Sequence, residues 1–215
     1  MPYSIHFISL GCAKNVVNCE QMMGLCRDAG HTLLESPEGA DVVVVNTCGF
    51  LSSANEEAIE NILRMAELKD AGLVKKILVS GCMTQRYQEE VTNELPEVDG
   101  ILGTGSYKDI VTAVEDVMAG GQPRCFADIH APVDEFGRVI STPGHYAYLR
   151  IADGCDNRCA YCAIPIITGR HVSRPMEEIV DEVRLLVSKG VTEIQLIAQD
   201  LTYYGVDLYK KQSIA

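Results

Sequence analysis

Three cysteines lie close together in the stretch GCDNRCAYCAIP, as Cys155, Cys159 and Cys162 with the spacing C-x3-C-x2-C. Three thiols are too few for a closed all-cysteine zinc site and too many for one disulfide. Zinc would need a fourth ligand; His145 is a candidate, although it also fits as an ordinary histidine at a strand end. A cysteine-only triplet suits a [4Fe–4S] cluster, where three irons are bound by thiolates and one is left for another group.

Another triplet is spread along the first half of the chain; because it comes earlier in the sequence, it is called the first triplet, and Cys155, Cys159 and Cys162 are called the second triplet. Cys12, Cys48 and Cys82 each follow a predicted strand, in SLGC, VNTC and VSGC. Loops at the carboxyl ends of parallel strands meet at one edge of a sheet, where ligands bind. Gly11 and Gly81 precede two of these cysteines and permit tight turns. The alternative is three small buried residues that fill strand ends; the repeated placement favours a shared site.

The remaining cysteines have simpler interpretations. Cys19 and Cys26 follow helical spacing on one apolar face, which predicts core positions. Cys125 lies in a predicted linker, and its sequence context indicates no role.

The elements that position the first triplet alternate between strand and helix. SIHFISL, DVVVVN, KKILVSG and GILG are predicted strands, and helices are predicted near residues 13–29, 53–66, 85–94 and 106–120. The sequence from Ser53 to Glu56 fits a capping box at the start of the second helix. This alternation predicts an α/β fold with a three-layer arrangement, a parallel sheet covered by helices on both faces.

The composition of the chain divides it into three parts. Residues 1–120 are the predicted first domain, and residues 121–143, rich in Pro and Gly, are a predicted linker with a hairpin near Phe136–Arg138. Residues 144–215 begin a second α/β unit with the strand HYAYLRI, a helix over 175–189 and the strand TEIQLIAQD. Two strands and one helix are too few to bury their own faces, so we expect this chain to be a fragment of a longer protein.

The bulk properties limit the function classes. The 215 residues are 47% hydrophobic and include nine cysteines. We find no apolar run of about 18 residues and no secretory signal, which predicts a reducing, cytoplasmic location without membrane insertion. The net charge of −12 argues against direct nucleic-acid binding. Residues 138–174 nevertheless hold five Arg and two Asp, a net of +3, which either favours an anionic cluster and a carboxylate cofactor or is a chance surface excess.

Two sets of motifs resemble a known family. The C-x3-C-x2-C loop, with Tyr161 just before its last cysteine and a strand before it, is similar to the radical S-adenosylmethionine (SAM) signature. Together with SLGCAKN, NTCGF and SGC, it resembles the radical SAM methylthiotransferases. This resemblance implies an N-terminal cluster domain, a radical SAM (βα) barrel of which the chain holds only the first strands, and a small C-terminal β-barrel domain that it lacks.

Within that family, one branch is the most similar. HYAYLRIADGCDNRCAYCAIP, VSRPMEEI and LIAQDLTYYG resemble the enzymes that methylthiolate an aspartate of a small-subunit ribosomal protein. The transfer-RNA adenosine methylthiotransferases are similar but tend to have Asn where Asp200 stands here. PIITGR departs from an Arg-containing run that the family often shows after the motif. The alternatives are therefore a transfer-RNA substrate or a non-catalytic iron–sulfur or zinc binding module.

The resemblance also implies a site. Cys155, Cys159 and Cys162 would hold the [4Fe–4S] cluster whose free iron binds SAM, and Cys12, Cys48 and Cys82 would hold an auxiliary [4Fe–4S] cluster that carries the transferred sulfur. Tyr161 would lie near the adenine of SAM, and Gln199 and Asp200 could bond its amino group. No catalytic residues beyond the cluster ligands are implied. The expected partners are the ribosomal protein and a reducing electron donor, and the fragment alone is expected to be inactive.

Overall fold

The computed structural model describes residues 1–131 and 137–214. Their contacts divide these residues into two compact units, residues 1–128 with 137–139 and residues 129–131 with 140–214. Each unit is described by itself. Phe136, at the start of the predicted hairpin, lies outside the described residues.

The first unit is built around a sheet of six parallel strands. Its elements are β1 (Ser4–Ser9), α1 (Ala13–Asp28), β2 (Thr32–Leu34), β3 (Ala40–Thr47), α2 (Ser52–Asp70), β4 (Val74–Gly81), α3 (Cys82–Arg86), α4 (Gln88–Glu94), β5 (Gly100–Leu102), α5 (Ile110–Met118) and β6 (Arg124–Cys125). The strand order is β2-β1-β3-β4-β5-β6. All the pairings are parallel. The predicted α/β class and parallel sheet are confirmed.

The central strands bury side chains on both faces, which explains their uninterrupted apolar sequences. In β3, Val43 and Val45 pack on the side of α2, whereas Val42 and Val44 pack on the side of α1 and α5. All four valines are completely buried. Because successive strand residues point to opposite faces, a continuous apolar run is what a sheet between two helix layers requires. This arrangement is the predicted three-layer architecture.

Several helix boundaries differ from the prediction. The capping box at Ser53 is wrong: α2 already begins at Ser52, Leu51 is its N-cap, and no side chain caps it. The single helix expected over 85–94 is two helices, α3 and α4, separated at Tyr87, whose φ of −127° is not helical. The helix expected from residue 106 begins as a 3-10 turn, Tyr107–Asp109, before α5.

The second unit contains β7 (Tyr146–Arg150), β8 (Ala152–Asp153), α6 (Ile164–Ile167), β9 (Val172–Ser173), α7 (Met176–Ser188), β10 (Glu193–Ile197) and α8 (Val206–Tyr209). Strands β7 and β10 pair in parallel, and α7 contributes Leu186 to their shared core. Helix α7 ends before Gly190, the predicted stop, which has a left-handed φ of +93°. Val187 of α7 and Leu196 of β10 remain 56% and 44% exposed, so this unit leaves part of its apolar surface uncovered.

A short antiparallel pair, absent from the prediction, shapes the cysteine loop. Ala152 pairs with Ser173 and Asp153 pairs with Val172. The intervening residues, 154–171, therefore leave the unit and return to it at one point. This pair closes the base of the segment that carries Cys155, Cys159 and Cys162.

Candidate cluster sites

The register of the first sheet aligns the ends of the strands that precede the first triplet. Asn46 pairs with Ser9 on one side and with Ser80 on the other, and Thr47 pairs with Gly81. Cys48 and Cys82 are the residues immediately after that last pair. Cys12 follows β1 and is the N-cap of α1. The three cysteines therefore lie on neighbouring loops at the carboxyl edge of the sheet.

These loops pack directly on one another. A Cβ added to Gly11 would lie 2.7 Å from Cys48 Cβ, and one added to Gly49 would lie 2.6 Å from the carbonyl carbon of Cys82. Gly11, beside Cys12, thus contacts Cys48, and Gly49, beside Cys48, contacts Cys82. Gly11 also has φ +91°, so both space and backbone conformation require glycine there. The structure brings this triplet together as neighbouring loops.

A polar network lies beneath the cysteines, and the sequence did not indicate it. The side-chain amide of Asn15 donates from Nδ2 to the carbonyl oxygens of Leu10 and Thr47, both at 2.9 Å. Its Oδ1 accepts a bond from the thiol of Cys82 at 3.7 Å. Asn46 Nδ2 in turn donates to the backbone carbonyl of Asn15 at 2.8 Å. One buried side chain therefore contacts all three loops.

The second triplet lies in the loop that β8 and β9 close. Cys159 is exposed, and Cys155 and Cys162 are half-buried. The amide of Cys155 donates to the carbonyl of Gly169 at 3.2 Å, and the amide of Cys162 donates to the carbonyl of Cys159 at 3.0 Å. Together these bonds give the loop a fixed base and a tight turn that holds the last two cysteines.

Two residues of this loop adopt left-handed backbone conformations. Gly154 has φ +67°, and a Cβ at this position would clash with the carbonyl of Arg170. Arg158 has φ +51° without being glycine. Conformations of this kind cost free energy and often occur where a loop is shaped for function.

Two of the predicted SAM contacts, Gln199 and Asp200, follow β10 at the edge of the sheet where the cysteine loop lies. Strand β10 pairs with β7 up to Ile197 opposite Arg150, so Gln199 and Asp200 leave the sheet at the same edge as the loop. Asp200 accepts a bond from Asn157 at 3.1 Å, a contact that the sequence did not predict. Bonds from Thr202 and from Asn157 hold the pKa of Asp200 below its usual value.

Gln199 and Tyr161 differ in burial: Gln199 has a buried amide oxygen, whereas Tyr161 is exposed. Gln199 Nε2 donates to Thr168 at 3.4 Å. Among the residues that the structure describes, the buried Oε1 of Gln199 has no hydrogen-bond partner. The ring of Tyr161 is 87% exposed.

His145 is not positioned to complete a zinc site with the cysteine loop. It precedes β7, whereas the loop follows the other end of that strand. Five strand residues span about 16 Å. Across residues 1–131 and 137–214, no group of three or more His, Cys, Asp or Glu residues is arranged to hold a single metal ion. A [4Fe–4S] cluster has a different requirement, because each thiolate binds a different iron.

Cys19 and Cys26 lie where the sequence predicts, whereas Cys125, expected in a linker, lies in a strand of the sheet. Cys19 and Cys26 are buried in the core, and burial raises the pKa of each thiol to about 12. Cys125 lies in β6, paired opposite Leu102, and burial raises its pKa. None of the nine cysteines forms a disulfide.

Most of the arginines in residues 138–174 form ion pairs inside the fold. Arg138 pairs with Glu20 at 2.7 Å, Arg174 with Glu182 at 2.7 Å, and Arg150 with Asp153 at 3.3 Å. These three arginines are buried. Only Arg158 and Arg170, of the five, are exposed beside the cysteine loop. The segmental charge is therefore a weak indicator of an anionic ligand.

Comparisons with known proteins match both units. A model of the radical SAM superfamily matches residues 149–213, and a model of the uncharacterized protein family UPF0004 matches residues 4–103. The second unit is therefore the beginning of a radical SAM domain. With the relatives that follow, these matches show that the chain belongs to the radical SAM methylthiotransferase family.

The three relatives that follow share one description, ribosomal protein uS12 methylthiotransferase RimO. The chain is 48% identical to the protein of Symbiobacterium thermophilum over 215 residues, which is 100% of this chain and 44% of that protein. It is 48% identical to the protein of Bacteroides thetaiotaomicron over 213 residues, 98% of this chain and 46% of that protein. It is 49% identical to the protein of Heliobacterium modesticaldum over 217 residues, again 98% and 46%. The chain thus spans just under half the length of these relatives.

Within the described residues, no helix is long and apolar enough to span a membrane.

Proposed function

We propose that this chain is part of an enzyme that methylthiolates an aspartate of a small-subunit ribosomal protein, using SAM and two [4Fe–4S] clusters. The observation that carries the proposal is the pair of cysteine triplets, each on loops at the carboxyl end of parallel strands, one in each matched unit. The description of the relatives, which names the ribosomal protein uS12, supports this substrate class.

The donor atoms fit iron–sulfur clusters. Each triplet supplies thiols alone, which suit iron–sulfur clusters more than hard cations. The six cysteines of the two triplets are exposed or half-buried, so each can be reached by an assembling cluster. Cys155, Cys159 and Cys162 would hold one cluster, and Cys12, Cys48 and Cys82 the other. The cluster on Cys155, Cys159 and Cys162 would supply the electron that cleaves SAM. The cluster on Cys12, Cys48 and Cys82 would carry the sulfur.

The remaining predicted residues would orient SAM. The buried Oε1 of Gln199 has no partner among the described residues and suits an amino group as donor. Asp200 would add a negative charge toward the same amino group, on a carboxylate that Asn157 and Thr202 hold in place. The exposed ring of Tyr161 would be available to cover the adenine. An external reductant of low potential would supply the electron.

Two other functions make different predictions. Transfer of the methylthio group to an adenosine of transfer RNA would use the same two clusters, but the net charge of −12 does not favour RNA binding by this part. A non-catalytic iron–sulfur or zinc module would leave SAM intact.

Anaerobic reconstitution of the 215-residue chain tests the cluster assignment. We expect about eight irons per chain, and about four after Cys155, Cys159 and Cys162 are all replaced by Ala. Cys125→Ser, which removes a half-buried cysteine outside both triplets, should retain about eight. Binding of stoichiometric zinc without iron would contradict the proposal.

The test of the substrate uses a longer form of the protein that extends beyond residue 215. We expect this form to methylthiolate the ribosomal protein and not transfer RNA, with mass spectrometry locating the added group on an aspartate. The 215-residue chain should bind iron but not turn over. Turnover by the chain alone, or modification of transfer RNA by the longer form, would contradict this assignment.

A further inference from the structure

We propose that Asn15 is the positioning residue of the auxiliary cluster site, fixing the loops of Cys12, Cys48 and Cys82 relative to one another. The inference rests on the proposed function, because it assigns a cluster to this triplet. Asn15 is 1% exposed and lies in the first turn of α1, directly after the loop of Cys12.

The geometry fixes the orientation of the side-chain amide. Both hydrogens of Nδ2 are used, one on the carbonyl of Leu10 and one on the carbonyl of Thr47. Only oxygen can accept from the Cys82 thiol, so the network assigns Oδ1 to that side. Leu10 lies two residues before Cys12, and Thr47 immediately precedes Cys48. The amide therefore joins the ends of β1 and β3 through the peptide that links Leu10 to Gly11 and the peptide that links Thr47 to Cys48.

Binding of the cluster would remove one of these three hydrogen bonds and leave the other two in place. Cys82 as an iron ligand has no thiol hydrogen and donates nothing to Oδ1. The two bonds from Nδ2 involve backbone carbonyls and do not depend on the state of any cysteine. They are the contacts that would hold the first two loops in the loaded site.

The surroundings of Asn15 leave it little freedom. Asn46 Nδ2 donates to its backbone carbonyl, and Ser80 Oγ lies 3.3 Å from Asn46 Oδ1. A Cβ on Gly11 would lie 3.1 Å from Asn15 Nδ2, so the loop passes directly over the amide. The network therefore continues from the first loop to the strand that precedes Cys82.

An aliphatic or shortened side chain at this position would lose the bonds to the carbonyls of Leu10 and Thr47 and would release the loops. Outer-shell residues of this kind change metal affinity about 10–100-fold. Asn15→Asp keeps the size of the side chain but replaces two donors with an acceptor that faces two carbonyl oxygens. Asn15→Asp should therefore weaken the site at least as much as Asn15→Ala.

The test uses the 215-residue chain in two backgrounds. In the first, Cys155, Cys159 and Cys162 are replaced by Ala, so that only the auxiliary site can load. In the second, Cys12, Cys48 and Cys82 are replaced by Ala, so that only the other site can load. Each background is reconstituted without oxygen with and without Asn15→Ala, and iron retention is measured against an iron chelator. The electron paramagnetic resonance spectrum of the reduced cluster is recorded in parallel.

In the first background, we expect Asn15→Ala to lower the chelator concentration that removes half the iron about 10–100-fold. The cluster spectrum should shift as well. The same change in the second background should alter neither quantity. Ser106→Ala, which truncates another buried polar side chain of the first unit, bonded to the amide of Ala127, is the control and should leave the first background unchanged.

Unchanged retention in Asn15→Ala would overturn the inference, as would an equal loss in both backgrounds or in Ser106→Ala. If Asn15→Ala loses its circular dichroism signal, Asn15→Asp replaces it, with the same outcomes. If the first background takes up no iron even with Asn15 intact, the auxiliary cluster itself is wrong, and the inference fails together with that part of the proposed function.

Discussion

Asn157 donates a hydrogen bond to Asp200 at 3.1 Å and so joins the cysteine loop to the residue that follows β10 by three positions. The two residues are 43 positions apart in the chain. Asp200 also accepts bonds from the amide and the hydroxyl of Thr202, at 3.0 and 2.6 Å. Its carboxylate is therefore held from both sides, and the loop that carries Cys155 and Cys159 is tied to it.

We predict that Asn157→Ala weakens SAM binding by the reconstituted chain. The bond is exposed and charge-assisted, so its loss should raise the dissociation constant for SAM roughly three- to tenfold. Equilibrium dialysis with labelled SAM measures this constant. Thr202→Val is the control, because it removes a bond to the same carboxylate without touching the cysteine loop. An equal effect of both variants would show that only the carboxylate, and not its link to the loop, matters.

The strand pattern predicts that Cys12, Cys48 and Cys82 lie on loops at one edge of a sheet. The apolar runs before Cys48 and Cys82 favour buried parallel strands, and both runs are strands of the parallel sheet. The network beneath that edge could not be predicted in the same way. Asn15 is an ordinary polar residue at the start of a helix, and its three partners come from loops whose mutual distance depends on strand register.

Local sequence signals were less reliable where tertiary contacts compete with them. Ser53 fits a capping pattern, but the helix begins one residue earlier. The strands β2 and β6 have three and two residues, too few for a periodic pattern. The excess of arginine in residues 138–174 was one possible sign of an anionic ligand. Three of these arginines are instead buried in ion pairs with Glu20, Asp153 and Glu182. The division into residues 1–120, 121–143 and 144–215 stays a prediction.

The carboxylate of Asp99 predicts a pH dependence of stability in the first unit. Burial raises its pKa, but bonds from Lys69, Lys76 and the amide of Ile77 outweigh that effect and bring the pKa below its ordinary 3.8. A lowered pKa in the folded chain contributes stability that is present above pH 3.8 and is lost as the pH falls through the folded value. Asp99→Asn should therefore cost about 1.5–3 kcal/mol near neutral pH.

The cost of Asp99→Asn should shrink toward zero in acid, where the natural carboxyl is also protonated. Urea unfolding at neutral pH and at successively lower pH values below 3.8 measures the free energy of unfolding as the carboxyl takes up its proton. Lys75→Met is the control, because its pair with Asp41 involves a lysine that is 67% exposed and should contribute under about 1 kcal/mol. A cost of Asp99→Asn that does not change with pH would contradict the electrostatic explanation.

The buried ion pair between Glu20 and Arg138 predicts a strong asymmetry between single and double substitutions. The two side chains are 1% and 5% exposed, and their charged atoms lie 2.7 Å apart. Arg138→Leu removes the positive charge that lies against a buried carboxylate and should cost about 3–5 kcal/mol in free energy of unfolding. Replacing both residues with Leu should restore most of that loss. Circular dichroism during urea unfolding measures each variant.

Arg27→Leu is the control for Arg138→Leu, since it breaks an exposed pair with Asp28 and should cost under about 1 kcal/mol. A double variant no more stable than Arg138→Leu would mean that the shape of these side chains, rather than their charge, holds residues 137–139 against α1. The bond from the amide of Val139 to the carbonyl of Glu20, at 3.1 Å, involves only backbone atoms, so none of these substitutions removes a group that forms it.

The backbone at Gly154 predicts a selective loss of one cluster. This glycine has φ +67°, and a Cβ would clash with the carbonyl of Arg170, so Gly154→Ala must displace either the cysteine loop or the strand that returns from it. Because the clash lies at the base of the loop, the three cysteines that follow lose their common frame. Iron in the reconstituted chain should fall from about eight to about four atoms. Gly144→Ala, where a Cβ meets nothing within 4 Å, should keep both clusters. Retention of all the iron by Gly154→Ala would show that the loop can rearrange and still bind, because the cysteines themselves, and not the closed base, determine assembly.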